Sequence, residues 1–200
     1  EFLITKVKLD VRLESELATI VSELTVERNG QHSQALRLDG EKMDLVSIKL
    51  NGKVVDQSEY KLEERCLVLN TQADDFTLQI ETRSKPHLNT ELSGLYKSSG
   101  NFCTQCEAEG FRRITYYLDQ PDIMSVFTTK IIANKNNYPV LLSNGNPIEK
   151  GDLENGKLYA LKMASTSLKD NDIINHSQVC MKNDCYKQVM ISHMGNQFSF

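Results

Sequence analysis

Two hundred residues, two-fifths of them apolar and a quarter charged, suffice for one ordinary hydrophobic core with a small appendage. A formal net charge of -4 with no block of Lys or Arg argues against nucleic acid or an anionic membrane surface as a partner. No apolar run approaches the ~18 residues of a membrane span, and the opening "EFLITKVKLD" alternates instead of building a signal-peptide core.

The first 80 residues read as strand after strand. "KVKLDVRL" puts Val7, Leu9, Val11 and Leu13 on one face and Lys6, Lys8, Asp10 and Arg12 on the other, the period of a half-buried strand. "TIVSELTVER" repeats the pattern with Ile20, Ser22, Leu24 and Val26, and the turn-forming "RNGQHS" follows. Asn51-Gly52 between apolar runs predicts a hairpin, and "CLVLN" and "DFTLQIETR" add two more strands. An antiparallel sheet is expected here.

Residues 85–101, rich in Pro, Ser, Asn and Gly, are expected to form a long connection across the molecule. "SVFTTKIIAN", "YPVLLSNGN" and "GKLYAL" continue the all-β pattern, with one short helical turn expected near "QPDIM", Pro121 standing in its first turn. After Leu161 the character changes. Residues 162–200 hold no Glu, Arg or Pro, and only "YKQVMISHM" suggests a further strand or a frayed end. The fold expected is all-β, an antiparallel saddle or sandwich over residues 1–161, with an irregular tail over 162–200.

Five cysteines, an odd number thinly spread, do not resemble a secreted disulfide framework, so reduced thiols in an intracellular compartment, cytoplasmic or organellar, are the simpler reading. The chain begins with Glu instead of Met and is expected to start inside a longer protein, where a targeting segment upstream would be invisible.

Within "CTQCEAEGFRR", Cys103 and Cys106 have the spacing of half a zinc ribbon, which Cys180 with Cys185, or His176 with Cys180, could nominally complete. A lone CxxC in β surroundings fits small buried hydrophobes better than a metal or redox site. If the stretch is extended, Cys103, Gln105, Glu107 and Glu109 share a face. Such a face is ordinarily solvent-facing. Yet Gln105 Oε1 and the Glu107 carboxylate could both aim at one ammonium, whose three donors need acceptors.

The string "GLYKSSGNFCTQCEAEGFRRITYYLDQPD" closely resembles the N-terminal domain of zinc-dependent aminopeptidases of the aminopeptidase N type, gluzincins that remove N-terminal residues from peptides. The family pattern Gln-x-Glu, then Arg, then Asp-x-Pro is matched by Gln105, Glu107, Arg112 or Arg113, Asp119 and Pro121. The resemblance runs over residues 2–161, including "LRLDGEKMDLVSIKLNG" and "YPVLLSNGNPIEKGDLENGKLYAL". It implies a β-saddle that packs on a thermolysin-like catalytic domain, with Gln105 and Glu107 binding the substrate's free α-amino group. It implies no such role for Glu109. Arg112, Arg113 and Asp119 are expected to brace the loop through ion pairs, and Phe111, Tyr116 and Tyr117 to be core aromatics.

The family's zinc chemistry needs His-Glu-x-x-His, two imidazoles at i and i+4 holding the ion beside a general base. The four histidines, His32, His87, His176 and His193, include no pair four apart, and the family's Gly-x-Met-Glu-Asn motif is also absent. Each histidine is expected to be exposed or hydrogen-bonded. No zinc or other cofactor is expected on this chain, and no catalytic residue. Beyond "GKLYAL", the family's aromatic, Pro-containing turn and final saddle strand have no match in "KMASTSLKDNDIINH". A frameshifted or spliced end, a gene remnant or a divergent linker would each produce this, and an unpaired sheet edge would follow unless "YKQVMISHM" replaces the strand.

Two functions follow as expectations. In the first, the chain is the substrate-anchoring domain of a zinc aminopeptidase, recognising a peptide N-terminus beside a catalytic domain of the same family and inactive alone. In the second, it is a stand-alone β-sandwich scaffold acting through protein contacts.

Overall fold

The computed structural model describes residues 1–120, 122–153, 158–164 and 189–192. In chain order its strands are β1 (Phe2–Leu13), β2 (Ala18–Arg28), β3 (Leu36–Asp39), β4 (Asp44–Leu50), β5 (Lys53–Val54), β6 (Tyr60–Glu63), β7 (Cys66–Leu69) and β8 (Asp75–Ser84). They continue with β9 (Gly94–Ser98), β10 (Asn101–Gln105), β11 (Val126–Asn134), β12 (Val140–Ser143), β13 (Asn146–Leu153), β14 (Leu158–Ala164) and β15 (Val189–Ser192). Single 3-10 turns at Pro86–Leu88 and Phe111–Arg113 are the only helical elements among the described residues. The fold is all-β, as expected.

Three sheets share one core. The largest has eight strands in the order β13-β14-β11-β1-β2-β8-β4-β5, beside a four-stranded sheet β12-β15-β10-β9 and a three-stranded sheet β3-β7-β6. Val7, Leu9, Val11 and Leu13 are buried as their alternation requires, against Leu24, Leu78, Ile80 and Ile131 of the same sheet. Leu36, Leu38 and Leu67 enter from the three-stranded sheet, and Leu95, Phe102 and Leu141 from the four-stranded one. Fully burying side chains of this size stabilises by ~1.5–3 kcal/mol each, so the inward residues of all three sheets hold the layers together. Ser22 also points inward on β2. Its hydroxyl is satisfied there by the Thr115 hydroxyl at 2.7 Å and the Ile80 carbonyl at 3.4 Å.

The Asn51-Gly52 hairpin forms between β4 and β5, with φ of 48° and 79° at the two turn residues. Positive φ at both positions is the geometry that matches strand twist in a two-residue loop, and Asn and Gly adopt it at least cost.

Some pairings differ from expectation. β1 lies parallel to β11, from Lys6 opposite Val126 to Leu13 opposite Ala133, so the large sheet is mixed. Period-2 alternation reports which face is buried and carries nothing about strand direction, and residues 14–125 supply the long crossover that a parallel pair needs. The expected long connection over 85–101 is broken by the turn at Pro86–Leu88 and by β9, which pairs with β10. Near "QPDIM" one turn closes through Ile123 N–H to the Gln120 carbonyl at 3.3 Å, while Pro121 lies outside the described residues. β14 extends to Ala164, and β15 pairs with both β12 and β10.

Gly40 supports the ring of Tyr116: a Cβ built there would stand 2.2 Å from two ring carbons, and Tyr116 is buried. Gly40→Ala is expected to destabilise the chain by ~1–3 kcal/mol through overpacking, read as a lowered urea midpoint at unchanged slope.

Candidate functional site

β10 delivers Gln105 at its last position, opposite Gly94 of β9. The strand then stops. Gly110 N–H bonds back to the Cys106 carbonyl at 2.8 Å, so residues 107–110 form a turn in which Glu107, Ala108 and Glu109 are all exposed and the Glu107–Ala108 peptide is cis. The extended reading therefore fails beyond Gln105, and Glu107 and Glu109 do not continue one strand face. The physical reason is close approach at Gly110, where a Cβ would stand 2.5 Å from the Gln105 carbonyl oxygen and 2.9 Å from Cys106 Cα. Only glycine lets the turn fold back so tightly.

Glu109 and Glu107 have different fates. Glu109 Oε2 lies 3.1 Å from Arg112 Nη2. Glu107 carries no ion-pair or hydrogen-bond partner for its carboxylate among the described residues, and neither does the half-buried Gln105 for its amide. The turn thus presents one carboxylate and one amide that the rest of the described structure does not use.

Two arginines hold the turn. Arg112 Nε reaches Asp119 Oδ2 at 3.1 Å, Nη2 donates to the Asp119 carbonyl at 3.0 Å, and Arg112 N–H bonds the same Oδ2 at 3.1 Å. Asp119 is fully buried, and its own N–H bonds Asp39 Oδ2 at 3.2 Å. Burial pulls the Arg112 guanidinium down, but the Asp119 hydrogen bond and the charges of Asp39, Asp119 and Glu109 outweigh it and hold the group above its ordinary value. Arg113 turns the other way, with Nε 3.0 Å from Glu41 and Nη1 2.5 Å from Glu91. Arg65 shares Glu41 at 3.0 Å. The hydrogen bond from Arg113 is the main cause holding the Glu91 carboxyl below its usual range. Gly94 allows this packing, since at φ 73° its missing Cβ would fall 2.4 Å from Arg113 Cβ.

Aromatic packing supports the turn from below. Phe111 meets Tyr117 edge-on at 5.0 Å between centroids and Phe127 at 5.8 Å, and the Tyr117 hydroxyl bonds Ser125 Oγ at 2.7 Å. Ser125 Oγ donates in turn to the Ile4 carbonyl. Phe111, Tyr116 and Tyr117 are core residues, as expected. The carboxylates Asp39, Glu41 and Glu91, which complete the brace, were not singled out from sequence, because they lie far from the motif in the chain. The "LRLDGE" text that precedes Lys42 was the available signal.

Cys103 and Cys106 are free thiols, and Cys106 belongs to the core. Burial pushes the Cys103 thiol above its ordinary value, which disfavours the thiolate that metal or redox chemistry needs. His32 is engaged through Nε2 with the Glu1 carbonyl at 2.6 Å, and His87 through Nδ1 with the Glu16 carbonyl at 3.0 Å. Among the described residues no three His, Cys, Asp or Glu converge as a metal site. His176, Cys180, Cys185 and His193 lie outside the described residues.

The three-sheet all-β architecture defines an N-terminal β domain, and the chain belongs to the peptidase M1 N-terminal domain family, whose model matches residues 4–168. It is 45% identical over 157 residues to aminopeptidase N of Escherichia coli, covering 78% of this chain and 18% of that protein. It is 42% identical over 160 residues to aminopeptidase N of Haemophilus influenzae, with the same shares covered. Among solved structures, Legionella pneumophila aminopeptidase A in complex with aspartic acid superposes with a TM-score of 0.81 at 32% identity, over 96% of this chain and 21% of that one. An M1 zinc metallopeptidase of Deinococcus radiodurans, 14% identical, shares the fold with a TM-score of 0.73 over 95% of this chain and 42% of that one. The chain spans about a fifth of the length of its aminopeptidase N relatives.

Because Asp119 is fully buried and its carboxylate accepts both the backbone N–H and the Nε of Arg112, Asp119→Ala leaves a guanidinium without its main charged partner. The variant is expected to lose ~3 kcal/mol of stability in urea unfolding, with faster amide exchange over residues 106–113.

Proposed function

We propose that this chain is the amino-terminal, substrate-anchoring domain of a zinc-dependent aminopeptidase, and that Gln105 and Glu107 together receive the free α-ammonium of a peptide. The observation that carries the reading is the contrast on one turn: Glu109 is consumed by Arg112, whereas Glu107 and Gln105 have no partner among the described residues. An ammonium brings three donors. The Glu107 carboxylate supplies charge-assisted acceptors and Gln105 Oε1 a neutral one, and bonds to an ionised acceptor are about twice as strong as neutral ones.

The role of these residues is recognition, and no bond is made or broken on them. A catalytic domain of the same family is the expected partner and would carry the zinc, which polarises a peptide carbonyl and activates water. Glu107 sets where cleavage begins, since an acylated N-terminus has no charge to offer and leaves the carboxylate desolvated without a partner. The brace through Arg112 and Arg113 keeps the acceptors in place, which matters because an ångström of misplacement costs rate.

With this domain joined to the catalytic part of the Escherichia coli relative, Glu107→Ala is expected to raise KM and to lower kcat/KM for unblocked peptides by ~100-fold, the equivalent of ~3 kcal/mol. Glu109→Ala should change kcat/KM less than about threefold, as befits an exposed ion pair. Unaltered kinetics in the Glu107 variant would remove the assignment. The 200-residue chain by itself is expected to release no fluorophore from aminoacyl substrates, with or without added zinc.

A further inference from the structure

A cavity of about 360 Å³ opens between the start of β4, the end of β8 and the segment leading into β9. That volume lies within the ~300–1,000 Å³ range of small-molecule sites. Lys42, Arg83, Lys85 and Arg113 line it, against only Asp44 and Glu91 of opposite sign. Glu91 is already shared between Arg113 at 2.5 Å and Lys42 at 3.6 Å. Arg83 touches Glu81 at 3.4 Å, a residue outside the cavity wall, and the Lys85 ammonium has no partner among the described residues. The positive charge left over therefore belongs to Lys85, two residues along the same wall from Arg83, which touches Glu81 and stands opposite Asp44.

A second observation is independent of charge. Met43, Leu88 and Leu95 form an apolar part of the wall, and Leu88 is 64% exposed.

We propose that this cavity is a second binding site, for a small organic anion in which a carboxylate is carried on a short apolar body. The guanidinium of Arg83 offers a planar fork to the carboxylate and Lys85 a point charge, while the body lies against Met43, Leu88 and Leu95. The site does not depend on the amine-anchoring reading. It shares with the brace of that turn Arg113 and Glu91, which are paired with each other.

The test is a titration of the 200-residue chain with hexanoate at constant ionic strength, followed by backbone amide shifts. Hexanol serves as the uncharged probe. Saturable shifts at residues 42–44, 83–85 and 88–91 are expected, with a Kd of ~1–10 mM, the range a ligand of this size allows. Lys85→Glu and the double variant Arg83→Ala/Lys85→Ala should weaken binding at least ~tenfold, while Lys150→Ala leaves it unchanged. Both altered side chains are exposed, and the dispersion of each variant's spectrum verifies its fold. Equal shifts from hexanol, absence of saturation, or hexanoate binding undiminished in the folded variants would each overturn the proposal.

Discussion

The site depends on a carboxylate that water never reaches. Asp119 sits at zero exposure, where its carboxylate accepts the Nε and the backbone N–H of Arg112 and its carbonyl accepts Nη2 of the same residue, seven positions away in the chain. The closure ties the end of the turn to the loop that follows. Through Asp39 it also reaches the three-stranded sheet, where the Asp39 and Tyr117 backbones exchange hydrogen bonds of 2.7 and 3.0 Å. A pair of this kind contributes less to net stability than to uniqueness of position, since its desolvation cost cancels much of its attraction. For the anchoring role we propose for Glu107, fixed position matters more than stability.

The same arrangement explains why two glutamates separated by one alanine behave differently. Glu109 faces Arg112 and adds to the charge that keeps it protonated, whereas Glu107, at the outer edge of the turn, is left to solvent. Arg113, pointing away from its neighbour, is held by Glu41 and Glu91 on two other segments. Adjacent arginines thus anchor one short loop to separate parts of the fold, each with its own carboxylates.

Much of the architecture was legible in the chain. The alternation of Val7, Leu9, Val11 and Leu13 and the positive-φ pair Asn51-Gly52 specify local geometry directly, so β1, β2 and the β4–β5 hairpin appear where the pattern put them. Strand direction was not legible, because alternation is the same for parallel and antiparallel partners, and β13 escaped notice because all eight of its residues are exposed. At the site, the identities of Gln105 and Glu107 could be read but not their disposition. The bend after Gln105 is dictated by contacts of Gly110 with Gln105 and Cys106, and a missing side chain announces itself in sequence only as a glycine among many.

The parallel pairing of β1 with β11 has a further consequence, for the order in which the molecule assembles. β1 can zip with β2 as soon as both exist, but its other edge must await a strand that follows residues 14–125. Contacts so distant along the chain repay their loop-closure entropy last. During synthesis the first strand therefore stands with one flank open while most of the domain emerges, and β11 with β14 and β13 joins as a late-arriving wing. The exposed charges of β1, Lys6, Lys8, Asp10 and Arg12, then act as gatekeepers for the nascent chain, discouraging that flank from finding a stranger's strand before its own arrives.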